Sequence, residues 1–131
     1  MIVVDSSLLV AALASDDGQA FRVREKLAED PEWHAPEHIR VEVTSAIRGR
    51  VLGRKLAIDR AETALRVLGQ MEIAAAPWSM LAGRVWELRD NMTPYDAAFI
   101  ALAEQLGCPV VTTDRKLADC PTRRCDVRVI E

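Results

Sequence analysis

Four acidic residues fall where carboxylates could do chemistry together. Asp5 and Asp114 each follow a short apolar run that is typical of a buried strand, and Glu42 and Asp96 lie near the starts of two predicted helices. Four carboxylates in one place repel one another unless a cation compensates their charge. Oxygen-only ligands select a hard cation, above all Mg²⁺ or Mn²⁺. The chemistry that such a site suits is hydrolysis of a phosphodiester by metal-activated water.

Taken singly, each acid has a more ordinary explanation. An Asp after a strand or at a helix start usually caps the helix or faces its dipole, and a helix glutamate is usually exposed. Glu42 lies beside an apolar stripe, but its local pattern supports a site least. Asp96 is supported most, because its helix continues into the apolar run 99–103, and an acid at the mouth of a buried helix demands a partner. The prediction therefore depends on the four acids together.

Strand and helix patterns alternate along the chain and tell where these acids fall. Short apolar runs predict strands at 2–4, 33–35, 72–76, 109–112 and 127–130. Apolar stripes predict helices at 8–14, 19–28, 36–52, 60–68, 78–89 and 94–106, with a short helical turn at 114–117. This order predicts one α/β domain over 1–131, a three-layer α/β/α arrangement around a parallel sheet of about five strands. Ligands bind beyond the carboxyl ends of such strands, so the four acids should converge at that edge.

Local signals also predict how the helices begin and end. The serine pair 6–7 is expected to cap the first helix, and Asp59 the fourth. Pro36 is expected to open the third helix, and Pro94 to open the last one behind its cap Thr93. The expected helix ends are Gly53 and Gly107.

Composition and charge exclude several classes of protein. The 131 residues include 17 basic and 20 acidic side chains, a net charge of −3, which argues against a large surface that coats nucleic acid. Three cysteines without CxxC spacing do not fit a disulfide framework or a zinc site. The N-terminus has no basic region before its apolar stretch, and no run approaches the roughly 18 apolar residues of a membrane span. We therefore expect a cytoplasmic protein with no membrane association.

Four segments of the chain match a known pattern in the family's order. They are IVVDSSLLVA at 2–11, HIRVEVTSAIRG at 38–49, MTPYDAAFIALAEQLG at 92–107 and PVVTTDRKLA at 109–118. With these segments the chain resembles the PIN-domain ribonucleases, specifically the VapC-type toxins of bacterial toxin–antitoxin systems. The third and fourth segments together are the most specific.

The resemblance implies a PIN-like fold and a metal-dependent endoribonuclease, in which an acidic quartet binds Mg²⁺ or Mn²⁺. Asp5 and Asp96 match direct metal ligands of that family. Asp114 matches a ligand that binds directly or through water, and Glu42 a residue that positions water or a second ion. Polar positions that often support the site are matched by Ser7, Thr112 and Thr113. The implied partners are RNA as substrate, a cognate antitoxin whose tail enters the active-site groove, and a second copy of the chain.

Three other functions share part of this pattern. A phosphorelay receiver has a similar size and a magnesium site, but it needs an Asp after its third strand, where residues 73–77 have none. A non-catalytic PIN-like module that only binds RNA or a partner stays open, although the intact quartet argues against it. A DNA-directed nuclease also stays open, because RNA follows from the resemblance alone.

Basic residues and histidines near the quartet have two explanations each. A basic cluster fits phosphate contact and a solvated helix end about equally; its members are Arg48, Arg50, Arg54 and Lys55. The side chains of Arg115 and Lys116 fit contact with RNA or with an antitoxin, and they fit a solvated surface nearly as well. His34 and His38 have no nucleophile to pair with, and a metal-water mechanism does not need them. We therefore expect both histidines to be structural.

Three large apolar side chains lie on one predicted helix, namely Trp78, Met80 and Trp86. They fit a core or a dimer interface better than a platform on which bases stack. Exposure of a tryptophan would favour the interface.

Overall fold

Five short strands and six helices make up the protein, and the computed structural model describes all of residues 1–131. The strands are β1 (Ile2–Val4), β2 (Trp33–Pro36), β3 (Ile73–Ala76), β4 (Val110–Thr112) and β5 (Val127–Val129). The helices are α1 (Ser6–Ala14), α2 (Gly18–Glu29), α3 (Ile39–Leu52), α4 (Ile58–Gln70), α5 (Trp78–Glu87) and α6 (Pro94–Leu106). The predicted alternation of strands and helices is confirmed. None of the six helices has the length and apolar composition needed to cross a membrane.

The strands form one parallel sheet in the order β3-β2-β1-β4-β5. From β1 to β3 the chain steps across the sheet in one direction, and from β3 to β4 it returns in the other. Because parallel crossovers are right-handed, the two directions place their helices on opposite faces. In agreement, α1 packs with α2, α3 and α4, whereas α5 packs on α6. The predicted α/β/α layers are confirmed.

The direction of the chain across the sheet reverses between β1 and β4, which are neighbours. Val3 of β1 pairs with His34 of β2 on one side and with Val110 of β4 on the other. The crevice beyond the carboxyl ends of these two strands is the topological switch point, where doubly wound sheets bind their ligands. Asp5 and Asp114 follow these two strands.

Deeply buried segments include β1, β4 and the middle of α6. Ile2, Val3 and Val4 are at most 1% exposed, and every residue from 97 to 103 is buried. Continuous apolar runs suit elements that are covered on all sides. Because α6 lies against β1, β2 and β4, its first turn is carried to the edge where the switch point lies.

The predicted cap of α1 is wrong. Asp5, not the serine pair 6–7, is the N-cap, and its side chain accepts a hydrogen bond from the backbone N–H of Leu8. Three consecutive residues here are good caps, so local preference alone does not choose among them. The burial of Asp5 at the end of β1 determines that Asp5 is the N-cap.

The starts of α3 and α4 also differ from prediction. Pro36 ends β2, paired with Ala76, and α3 begins three residues later at Ile39. The pairing of β1 with β2 ends before Pro36, so the missing N–H of the proline breaks no bond on that side. The cap of α4 is Ala57, and Asp59 lies within its first turn. The predicted helical turn at 114–117 is a series of turns without a helix.

Candidate active site

Asp5 is held where β1 ends and α1 begins. The residue is 5% exposed, and its Oδ1 accepts hydrogen bonds from the backbone N–H of Leu8 at 3.0 Å and the hydroxyl of Ser7 at 2.9 Å. Burial raises the pKa of Asp5 to about 6, although these donors oppose the shift. Asp5 therefore caps α1 and also presents a buried carboxyl group at the switch point.

Thr112 joins Asp5 to the end of the neighbouring strand. Its hydroxyl donates to Asp5 Oδ2 at 2.6 Å and accepts from the backbone N–H of Asp114 at 2.9 Å. The hydroxyl of Ser7 accepts in turn from the backbone N–H of Thr113 at 3.2 Å. These bonds fix the carboxyl ends of β1 and β4 against each other. They bring Asp114 close enough for its charge to raise the pKa of Asp5 further.

Glu42 lies in the first turn of α3 and has a different environment. Its Oε1 is 3.2 Å from Nε2 of His38, a distance within the range of an ion pair. The angles are not those of a hydrogen bond, however, and both buried atoms lack any other partner. Burial raises the pKa of Glu42 to about 7, and the charges of Asp96 and Asp5 add to the rise. The charged form of Glu42 therefore has no hydrogen-bond donor to stabilise it.

Asp96 lies in the first turn of α6, as predicted. The side chain of Thr93 caps the helix by accepting from the backbone N–H of Asp96 at 3.3 Å, and Pro94 occupies the first helical position. Burial raises the pKa of Asp96, the charge of Asp114 raises it further, and the charge of Lys116 partly offsets the rise. Because Thr93 supplies the cap, the Asp96 carboxyl is left to face the other acids.

The charges of three of the predicted acids raise the pKa of their neighbours in the set. The charge of Asp114 raises the pKa of Asp5 and of Asp96, and the charges of Asp96 and Asp5 raise the pKa of Glu42. Effects of this kind require carboxyl groups that lie in the same part of the molecule. The structure thus brings the four acids together at the carboxyl edge of the sheet, beside the switch point.

The donor set suits a hard divalent cation. The acids offer only oxygen ligands, and no three His, Cys, Asp or Glu side chains lie close enough to hold one ion by themselves. Mg²⁺ is usually bound through one or two carboxylates and keeps several of its waters, so two of these acids suffice. A cation would also offset the repulsion and the burial that raise these pKa values. The residues therefore fit such an ion.

Two polar depressions border the acids. One, of about 350 Å³, contains Asp96 and Lys116. The other, of about 330 Å³, contains Ser7 and Arg50, and the guanidinium of Arg50 donates to Oγ of Ser15 at 2.9 Å. Lys116 shares the first depression with Asp96, whereas Arg50 shares the second with Ser7 and Thr113, which hydrogen-bond next to Asp5 and Asp114. A phosphodiester chain that crosses the acids needs such contacts on both sides of the reacting bond.

His38, which was expected to be structural, lies beside the acid quartet. The signal was in the spacing, because residues four apart, such as His38 and Glu42, share one face of a helix. The His38 ring also meets the rings of Tyr95 and Phe99 edge-on, with 5.7 Å between centroids in each case. His38 thus connects the acids to an aromatic group that the sequence did not place there.

Comparisons with known proteins match nearly the whole chain. The family model of the PIN domain matches residues 2–121. Ribonuclease VapC9 of Mycobacterium tuberculosis is 35% identical over 130 residues, which is 99% of this chain and 98% of that protein. Ribonuclease VapC1 of the same species is 35% identical over 129 residues, with 98% and 96% covered.

Solved structures show the same fold at low identity. Mycobacterium tuberculosis VapC20, described as a toxin that cleaves the sarcin-ricin loop, superposes with a TM-score of 0.70 at 16% identity and covers 92% of this chain and 95% of its own. VapBC2 from Rickettsia felis, bound to a DNA fragment from its promoter, superposes with a TM-score of 0.70 at 14% identity, with both chains fully covered.

Proposed function

The chain belongs to the PIN-domain family, as a VapC-type endoribonuclease toxin, and we propose that its four acids form the active site and work with a divalent cation. The residues are Asp5, Glu42, Asp96 and Asp114. The observation that carries this proposal is the buried Asp5 carboxyl at the switch point, which Thr112 joins to Asp114 and whose charge, with that of Asp96, raises the pKa of Glu42. Buried carboxyl groups that destabilise one another point to a functional site rather than to a scaffold.

We assign direct contact with the cation to Asp5 and Asp96, and contact directly or through water to Asp114. When bound there, Mg²⁺ or Mn²⁺ supplies an activated water and neutralises charge that grows on the phosphate. The bond from Thr112 fixes the orientation of the Asp5 carboxyl. Glu42 orients the attacking water and takes its proton, a role that suits a carboxylate beside the cation-bound water.

Two cationic side chains are assigned to the RNA backbone. Lys116 lies in the depression beside Asp96, and Arg50 in the depression on the side of Ser7. Each contacts a phosphate next to the reacting one, which fixes the position of the chain without selecting its sequence.

Cleavage of a mixed RNA by purified protein, free of antitoxin, tests the proposed site. We expect cleavage with Mg²⁺ or Mn²⁺, and none with EDTA or in Asp96→Asn. Asp59→Asn is the matched control, because it changes an exposed acid in the first turn of α4. Cleavage by Asp96→Asn at the wild-type rate would show that the site is misassigned. Binding of RNA by the wild-type protein without any cleavage would identify a non-catalytic PIN-like module instead.

We also propose that the chain acts in the cytoplasm and is held inactive by a cognate antitoxin whose tail enters the groove over the acids. The curated relatives are VapC ribonucleases, and one structural neighbour is a VapBC assembly. The acidic site favours a cationic tail. Expression of the chain alone should stop growth of a bacterial host, and co-expression with the antitoxin should restore growth. Toxicity that persists although the two proteins co-purify would contradict this role.

A homodimer is proposed through α5. Met80 is 55% exposed and Trp86 is 68% exposed, so neither belongs to the core, and their exposure supports an interface. Sedimentation equilibrium should show a dimer for the wild-type protein and a monomer for Trp86→Glu. A wild-type monomer at all accessible concentrations would contradict the proposal.

A further inference from the structure

A cavity of about 280 Å³ opens next to the acid quartet, and nothing in the proposed mechanism uses it. We propose that this aromatic cavity receives one unstacked base of the RNA, from a nucleotide beside the scissile phosphate, with Trp78 as the stacking platform. The inference rests on the proposed function, because it takes RNA as the substrate. The aromatic cavity is lined by the side chains of Trp78, Tyr95, His38, Leu81, Val85 and Ala98.

The floor and the rim of the aromatic cavity differ in exposure. Leu81, Val85 and Ala98 form the floor and are 1%, 7% and 5% exposed. Trp78 and Tyr95 stand at the rim and are 65% and 62% exposed. An apolar floor below exposed aromatic rings is the arrangement of a ligand site rather than of a packed core. Its volume lies near the lower end of ligand-site volumes, about 300 Å³, which suits one flat ring system.

The aromatic cavity and the acids share a wall. Tyr95 directly precedes Asp96 in the first turn of α6. His38 lies between the cavity and Glu42, since its ring meets that of Tyr95 and its Nε2 is 3.2 Å from the Glu42 carboxyl. A nucleotide whose phosphate lies on the acids therefore has its own base, or the next one, within reach of the cavity.

The chemistry of the lining favours a neutral aromatic ligand. No Lys or Arg lines the aromatic cavity, so it offers nothing to a phosphate or an acidic peptide. Its acidic residue is Glu37, whose Oε1 accepts from the backbone N–H of Trp78 at 3.0 Å. The remaining oxygen of Glu37 is an acceptor for an amino group on the edge of a base. Single-stranded RNA is commonly recognised in this way, with a splayed base stacked on Trp, Tyr or His.

Binding without catalysis tests the platform directly. The probe is a fluorescein-labelled single-stranded RNA of mixed sequence, titrated in EDTA with protein that carries Asp96→Asn. We expect Trp78→Ala in this background to weaken binding roughly 5- to 50-fold, the effect of losing one stacked base. Trp78→Phe should restore most of the affinity. Phe21→Ala is the matched control, because it removes an aromatic ring that is 61% exposed on α2, and it should leave affinity unchanged.

A scan with abasic nucleotides locates the base that enters the aromatic cavity. On an RNA that the wild-type protein cuts, one abasic position next to the cleaved bond should raise KM roughly 5- to 50-fold. In Trp78→Ala that same position should have no further effect, since the partner ring is already gone. The substitution is compatible with folding, because Trp78 is exposed and its bond to Glu37 uses only the backbone.

The outcomes separate this inference from the proposed function. If the wild-type protein cuts no RNA, the proposed function fails, and the binding experiment still decides on the aromatic cavity. If Trp78→Ala binds RNA like the Phe21→Ala control, or if the abasic penalty persists in Trp78→Ala, the base subsite is wrong. It is also wrong if Trp78→Ala loses affinity only by dissociating a dimer in sedimentation, because the cavity then belongs to a contact between copies.

Discussion

The two sides of the acid site are built in opposite ways. On the strand side, Asp5 is buried and hydrogen-bonded, and the hydroxyl of Thr112 ties it to the backbone of Asp114. On the helix side, the carboxyl groups of Glu42 and Asp96 accept no hydrogen bond from any side chain, although burial raises the pKa of both. Folding alone therefore fixes the strand side, whereas the helix side is left to be organised by what binds there.

This difference has an energetic meaning. Donors that satisfy a buried carboxylate offset part of the cost of removing its charge from water. At Glu42 no side-chain donor offsets the cost of removing the charge from water. A cation bound beside Glu42 would stabilise the charged carboxylate. Asp5 and Glu42 both lower the stability of the free protein in their charged forms, as their raised pKa values show, but only Asp5 has side-chain donors that offset part of the cost. Changes on the two sides should consequently have different signatures in activity and in stability.

The largest expected difference is in activity. Asp5→Asn should lower kcat/KM about a thousandfold, because a fixed ligand of the cation contributes several kcal/mol to the transition state. Glu42→Gln should lower it about 10- to 100-fold, because an orienting residue acts through water. Single-turnover cleavage of one RNA by both variants measures this ratio. Equal losses in the two variants would contradict the assignment of Asp5 as a direct ligand and of Glu42 as a residue that orients water.

The next effect is on the pH dependence of stability without metal. The raised pKa of Asp5 means that the folded protein binds the proton of this carboxyl more tightly than the unfolded chain does. The resulting contribution to the free energy of unfolding is complete below pH 4 and is lost as pH rises through about 6. A pKa of about 6 instead of 3.8 corresponds to roughly 3 kcal/mol at pH 8. In EDTA, Asp5→Asn should therefore gain stability over the wild-type protein between pH 4 and pH 8.

Urea unfolding at several pH values checks this sign, and saturating Mg²⁺ should raise the wild-type stability most at pH 8. Asp5→Asn is a suitable variant because asparagine caps helices as well as aspartate does. A wild-type protein that gains stability relative to Asp5→Asn as pH rises from 4 to 8 in EDTA contradicts the raised pKa.

A smaller effect is expected from Thr112→Val. The substitution keeps the shape of the side chain, but it leaves the backbone N–H of Asp114 without its partner and leaves Asp5 Oδ2 with the hydroxyl of Ser7 alone, at 3.0 Å. We expect a loss of about 2 kcal/mol in the free energy of unfolding and a 10- to 100-fold loss of metal affinity. Thr44→Val, on the exposed face of α3, is the control and should change stability by less than about 0.5 kcal/mol. Equal effects of the two valines would mean that the strand side is not held by this hydroxyl.

The smallest effect is expected at His38. His38→Phe keeps the ring edges toward Tyr95 and Phe99 and removes only the contact with Glu42, which is not a hydrogen bond. Stability should change by less than about 1 kcal/mol and cleavage by less than about threefold. A loss as large as that of Thr112→Val would show that His38 fixes Glu42 after all.

Local chemistry predicted some elements well and left others open. The bounds of α6 follow from Thr93, Pro94 and Gly107, whose preferences act within a few residues, and the structure confirms all three, with Gly107 at φ 66°. The cap of α1 was missed because it depends on Thr112, more than a hundred residues away. Pro36 was misplaced for the same reason, because its partner Ala76 belongs to another strand.

The position of the acids could be predicted, but their environments could not. A parallel sheet carries residues that follow its strands to one edge, so Asp5 and Asp114 were expected to meet. Which carboxyl group would find donors depends on side-chain packing between distant segments. The contrast between Asp5 and Glu42, and the cavity beside Tyr95, therefore appear only in the folded chain.

Anomalous diffraction from Mn²⁺-soaked crystals shows whether the four acids form one cation site. We predict a Mn²⁺ peak about 2.1 Å from carboxylate oxygens of Asp5 and Asp96, with Asp114 bound directly or through water. The same soak of Asp96→Asn crystals should give no peak there. A Mn²⁺ ion bound away from these residues, at a concentration that supports RNA cleavage, would contradict the account.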